Sequence, residues 1–137
     1  MQGSTFAVLP YVVSSLVYYL IGALWYTPLF GKAWAKEVGM DMGGSMEGKK
    51  GQFLLAMGGQ LVSSFLFVLG VYMLLRLGNF YSFGGAMIVG ASVGGFFAIS
   101  INSGKLLFQA KPKLFLIDAG YSIVGAFVTA LILAFWR

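Results

Sequence analysis

Polar residues are rare enough along this chain that their absence marks the architecture. Four nearly continuous apolar runs cover residues 6–26, 53–75, 81–103 and 114–136. Each is about 20 residues long or slightly more, the length a helix rising about 1.5 Å per residue needs to cross about 30 Å of hydrocarbon. Inside lipid a segment must satisfy its own backbone hydrogen bonds, so each run is predicted to be a helix. None of the runs alternates apolar and polar residues, as the strands of a membrane barrel would. The first run is not preceded by Lys or Arg, and bulky Trp25 and Tyr26 stand where a cleavage site needs small residues, so it reads as a retained span and not as a signal peptide. Pro10 falls in its first turns, where a missing backbone donor costs least. The predicted fold is an all-α membrane protein: a four-transmembrane-helix bundle forming a single domain over residues 1–137.

The polar connectors refine this picture. After the first span, Phe30, Trp34 and Val38 recur at four-residue spacing on one helical face while Lys32 and Lys36 project from another. That pattern predicts a short interfacial helix lying on the membrane. Pro28 is expected to stop the spanning helix, Gly31 to allow the turn, and Lys32 with Trp34 to pin the new helix at the headgroups. Aromatic residues cluster near the span ends, with Trp25, Tyr26, Phe30 and Trp34 on one side and Tyr72, Phe80, Tyr81 and Trp136 on the other, as in interfacial belts.

Charge adds an orientation. The connectors 27–52 and 104–113 hold Lys32, Lys36, Lys49, Lys50, Lys105, Lys111 and Lys113, whereas the opposite side holds only Arg76 and Arg137. The positive-inside tendency then places both connectors in the cytoplasm and both termini outside, in a multi-pass protein of the cytoplasmic (inner) membrane. The net charge of +5 does not imply nucleic acid, because the basic residues sit between apolar runs and form no stripe.

Composition removes whole classes of chemistry. Charged residues make up 9% of the chain against 59% hydrophobic ones, too few to give a soluble body of this size a polar skin. Cysteine and histidine are both absent, so there is no thiolate nucleophile, no disulfide framework and no imidazole base or ligand. Met40, Met42 and Met46 are clustered thioethers of the kind that bind soft ions, but nothing of His or Cys type supports them, and no metal or cofactor is expected. The paired glycines Gly58-Gly59 and Gly94-Gly95 lie within apolar spans and lack the strand and turn of a phosphate cradle.

The chemistry that remains is an intramembrane polar set. Asp118 is the only carboxylate assigned to a span, about one turn inside the fourth, and an ionisable group there is a functional candidate by default. Lys111 and Lys113 are close enough in sequence to neutralise it. Gln60, Ser100, Asn102 and Ser122 fall at similar depth if the spans pack antiparallel, and could join Asp118 in one network. Small residues prepare close helix packing: Ser122, Ala126, Ala130 and Ala134 recur every four residues in the fourth span, as do Gly90 with Gly94, and Ala91 with Gly95, in the third. These stripes could close the bundle or bind another subunit.

Two blocks of residues resemble a known family. The run GALWYTPLFGKAW at Gly22 to Trp34, together with the segment from Pro112 that begins PKLFLIDAGY, is similar to the small membrane proteins catalogued as domain of unknown function 1761. The likeness covers nearly the whole chain and implies four spans with no established activity. Its matching positions are Trp25, Tyr26, Pro28, Gly31, Lys32 and Trp34, then Ala119, Gly120 and Tyr121. Members of that family commonly carry Asn where this chain has Asp118, and often His where it has Ser122.

Together these features point to a non-enzymatic membrane protein working through helix contacts, as an accessory or assembly subunit or a homo-oligomer, with lipid and protein as its partners. The competing expectation is a small oligomeric channel or transporter whose polar path surrounds Asp118. An enzyme ranks third, since acid-base chemistry would have to come from Asp118, Tyr121 and serines.

Overall fold

The computed structural model describes residues 7–38 and 50–136, and every regular element among them is a helix. Helix α1 (Val8–Leu24) runs into a π-helical turn over Trp25–Leu29, and the two together make span 1, Val8–Leu29. The short helix α2 (Gly31–Val38) follows. Helix α3 (Lys50–Gly78) contains span 2, Leu54–Gly78. Span 3, Phe83–Leu107, is built of α4 (Phe83–Gly90), a π-helical stretch over Ala91–Phe97, and α5 (Ala98–Leu107). Helix α6 (Pro112–Phe135) is span 4. All four spans are long and apolar enough to cross a membrane, so this is an integral, multi-pass membrane protein.

Pro28 does not stop the first span as expected. It sits inside the π-helical turn, whose closing bond runs from Phe30 N to Trp25 O at 2.8 Å. A proline ring clashes with the carbonyl four residues back, and widening the helix by one residue relieves that clash without ending the helix. The chain breaks at Phe30 instead (φ −125°, ψ 11°), where α2 departs.

The two tight hairpins have different turn chemistry. Between spans 2 and 3, Asn79 adopts a left-handed φ of 55°, Phe80 N donates to Leu75 O at 2.9 Å, and the Ser82 hydroxyl caps α4 by accepting from Gly85 N at 3.1 Å. Asn tolerates that conformation and Ser is a favoured cap. Between spans 3 and 4 the left-handed position is Ala110, at φ 52°. A Cβ there costs about 1–2 kcal/mol, so the surrounding contacts must hold the turn closed.

Span 4 is the central post. It contacts all three other spans and α2, and a larger share of it is buried than of any other span. Span 1 packs against spans 2 and 4, and span 3 leans mainly on span 4. Away from the long connectors the core is dry: Val68, Val71, Tyr72, Leu75, Ala86, Val89, Ala130, Leu133 and Ala134 are all buried. Small residues let the backbones approach. A Cβ on Gly94 would fall 2.8 Å from Ile123 Cα, and one on Gly90 would fall 2.6 Å from the Phe127 ring. Ala126 and Ala130 are wholly buried beside them. The stripe of Gly90 and Gly94 is therefore used inside the bundle against the span 4 stripe, whereas Ala91 is exposed and a Cβ on Gly95 would meet nothing within 4 Å, so the second span 3 stripe does not join span 3 to span 4. Ser122, at the head of the span 4 stripe, is only half-buried.

Candidate functional site

At the end of the bundle where the connectors lie, the two sequence blocks meet. Trp25 Nε1 donates to the Ile117 carbonyl at 2.8 Å, and the Trp25 ring comes within 3.0 Å of where a Gly120 Cβ would stand. One residue on, the Tyr26 hydroxyl donates to Asp118 Oδ1 at 2.6 Å. Tyr121 reciprocates from span 4: its hydroxyl donates to the Tyr18 carbonyl at 3.0 Å and lies 2.8 Å from the Cβ position of Gly22. Gly22 and Gly120 are small because an aromatic ring occupies the space a side chain would need.

Phe67, Tyr18 and Tyr121 stack face to face, with centroid separations of 4.3 Å and 4.6 Å. Tyr26 then meets Tyr121 edge-on at 5.5 Å, and Trp34 of α2 meets Tyr26 edge-on at 5.6 Å. This column ties three spans and α2 together, and ring pairs of this kind contribute about 0.5–1.5 kcal/mol each beyond the area they bury. Trp25 and Tyr26 thus act as docking groups between spans 1 and 4, a role beyond that of the belt residues expected from sequence. They lie three to four residues beyond Gly22 and seven to eight beyond Tyr18, on the face of span 1 that already meets Tyr121 of span 4.

Asp118 is held on both oxygens. Lys105 Nζ donates to Oδ2 at 2.5 Å and also to Asn102 Oδ1 at 2.7 Å, while Asn102 Nδ2 returns a bond to the Ala98 carbonyl at 2.8 Å. The two side chains of the ion pair are 29% and 15% exposed, so the pair is sheltered although the lysine still reaches the rim. Lys105 takes the part expected of Lys111 and Lys113. It stands in the last turn of α5, facing the second turn of α6 across the hairpin, whereas Lys111 precedes α6 and turns away to donate to the Glu37 carbonyl of α2 at 2.6 Å. Lys113 is exposed.

Of the five polar residues expected to gather, Asp118 and Asn102 are joined through Lys105. Ser122 and Asn102 line a lateral cleft of about 370 Å³ whose other walls are Phe67, Val93, Phe97, Ala98 and Ile101. Ser100 is exposed, and its carbonyl accepts from Ser103 at 2.7 Å. Gln60 is exposed on span 2, and among the described residues no bond links it to Asp118. Tyr26 and Lys105 were the members sequence reasoning missed. The cue for Lys105 was its spacing of three from Asn102, which puts both on one face of α5.

Chemically the cluster is an ion pair in which each Asp118 oxygen already has a partner, Tyr26 on Oδ1 and Lys105 on Oδ2. Among the described residues no three metal-ligating side chains gather, and Met40, Met42 and Met46 lie outside the described residues.

The fold and this site define a class: a four-span membrane protein whose first and last spans are clasped by an aromatic and ion-pair cluster at one end. The chain belongs to the family described as protein of unknown function (DUF1761), whose sequence model matches residues 9–134. No curated protein and no solved structure matches it. The family match spans both clasp blocks, Gly22 to Trp34 and Pro112 to Tyr121.

Proposed function

We propose that the protein is a non-enzymatic membrane subunit that works through helix contacts, as a homo-oligomer or as an accessory or assembly component of a larger membrane complex. The observation that carries this reading is a division among its glycines. Gly22, Gly90, Gly94, Gly120 and Gly125 are each pressed against a neighbouring helix, whereas a Cβ on Gly58, Gly59 or Gly70 of span 2 would meet nothing within 4 Å. Glycine in a helix interior costs about 1 kcal/mol against alanine, a cost that a close-packed external helix would offset. Most of the half of span 2 that bears Gly58 and Gly59 is also exposed, including Leu54, Leu55 and Met57.

The pairing of Asp118 with Lys105 and Tyr26 gives a channel or transporter less support, and so does the close apolar packing around Val68, Val71, Val89 and Leu133. The orientation that fits the charge distribution has both connectors in the cytoplasm and the termini outside.

Gentle solubilisation followed by native mass measurement tests the proposal. The expected particle is a multimer or a hetero-complex, and Gly59→Leu should reduce it toward the protomer. A strict monomer with nothing copurifying overturns the reading. Ion or solute flux in proteoliposomes that is abolished in Asp118→Asn would replace it with the channel reading.

A further inference from the structure

Five lysines whose side chains are described stand at the connector end, and the structure sorts them by what already occupies them. Lys105 is neutralised by Asp118, and Lys111 is tied to the Glu37 carbonyl at 2.6 Å, where it caps the negative end of the α2 dipole. Lys32, Lys36 and Lys113 are exposed and meet no acid among the described residues.

Lys32 and Lys36 lie one turn apart on the face of α2 turned away from buried Gly31 and Ala35. That face is fixed in place. Trp34 packs on Tyr26, Lys111 holds the far end of α2, and α2 rests on α6, near whose start Lys113 sits. Among the side chains described at the connector end, outside the Asp118 pair, four lysines therefore stand against the single carboxylate of Glu37. A rigid positive platform beside the rim of the spans complements the phosphates of an anionic leaflet, and each lysine near such a surface contributes about a fivefold preference.

We propose that α2 and the start of α6 form a binding face for anionic phospholipid headgroups, with Lys32, Lys36 and Lys113 as its phosphate contacts. This inference stands apart from the assembly reading, because it concerns lipid at the rim and not the face of span 2.

The test reconstitutes the full chain in vesicles of equal phosphatidylglycerol and phosphatidylcholine, then counts the lipids retained in native mass spectra. The expected result is excess phosphatidylglycerol on the wild type, reduced about fivefold in Lys36→Gln and lost in the Lys32→Gln, Lys36→Gln, Lys113→Gln triple variant. The corresponding triple arginine variant should keep the excess, and so should Arg76→Gln at the opposite end of the bundle. An unchanged excess in the triple glutamine variant overturns the proposal. Equal retention of both lipids by the wild type overturns it as well, and would assign the lysines to a soluble acidic partner.

Discussion

The two ends of this bundle are held together by different physics. At the end bearing the hairpin Asn79–Ser82, cohesion comes mainly from apolar side chains and bare backbone: Val68, Val71, Leu75, Val89 and Leu133 are nearly inaccessible, and toward mid-span spans 3 and 4 approach through Gly90, Gly94, Ala126 and Ala130. Its directional bonds tie span 1 to span 2, where Tyr72 Oη accepts from Ala7 N at 2.7 Å and from Arg76 at 3.0 Å, and Tyr11 donates to the Phe65 carbonyl at 2.7 Å. At the connector end a few directional bonds carry the load, from Trp25 to Ile117, Tyr26 to Asp118, and Lys105 to both Asp118 and Asn102. Lipid is as apolar as leucine, so the dry end gains by dispersion and fit, and the polar end gains by bonds that water at the rim would weaken. Cohesion should therefore be steeply sensitive to volume at one end and to hydrogen-bonding groups at the other.

The largest effect should come from volume. Gly94→Val would drive a side chain into the Ile123 backbone, which cannot rotate away, and should cost about 2–3 kcal/mol in detergent-titration unfolding. Asp118→Ala comes next. It removes both partners of one carboxylate and should cost about 1–3 kcal/mol, limited because partly exposed Lys105 can turn to the headgroups. Tyr26→Phe deletes a single bond while keeping the ring stack, and should cost about 1 kcal/mol in the same titration. If it matched Gly94→Val, the contrast between the ends would fail.

Ser14 sharpens the contrast from the opposite side. Its hydroxyl is fully buried without a hydrogen-bond partner among the described residues, so Ser14→Ala should leave stability unchanged or raise it by up to about 1 kcal/mol. Gly70→Ala should likewise raise the stability of the protomer, by up to about 1 kcal/mol, because nothing in the protomer meets the added methyl and alanine is the better helix former.

The dry end was the more legible in sequence. Length and hydropathy located all four spans to within a few residues, but the four-residue recurrence of small side chains offered two stripes on span 3 without choosing their partner, and only that of Gly90 and Gly94 meets span 4. The largest boundary difference was at the end of span 3, read as 103 and found at Leu107, because Lys105 is paired and does not end the helix. The polar end was harder because its partners depend on helical phase and rotamer. Aromatic residues at a span end read as interfacial anchors, and nothing in the sequence says which face of span 1 meets span 4, so the reach of Trp25 and Tyr26 to Ile117 and Asp118 was not legible. Proximity in sequence favoured Lys111 and Lys113 as partners of Asp118, but Lys111 lies before α6 and points to α2, and Lys113 is exposed. Gln60 was placed by depth alone, and depth says nothing about which way a side chain faces.

The central position of span 4 has a consequence for biogenesis. Emerging from a translocon in chain order, span 1 enters the bilayer with the Trp25 indole and the Tyr26 hydroxyl still lacking the acceptors that α6 will supply. Spans 1 and 2 can pair before it, whereas span 3 leans mainly on α6 and must wait. Closure of the bundle should therefore follow the arrival of α6, with span 1 locking onto it through Trp25 and Tyr26.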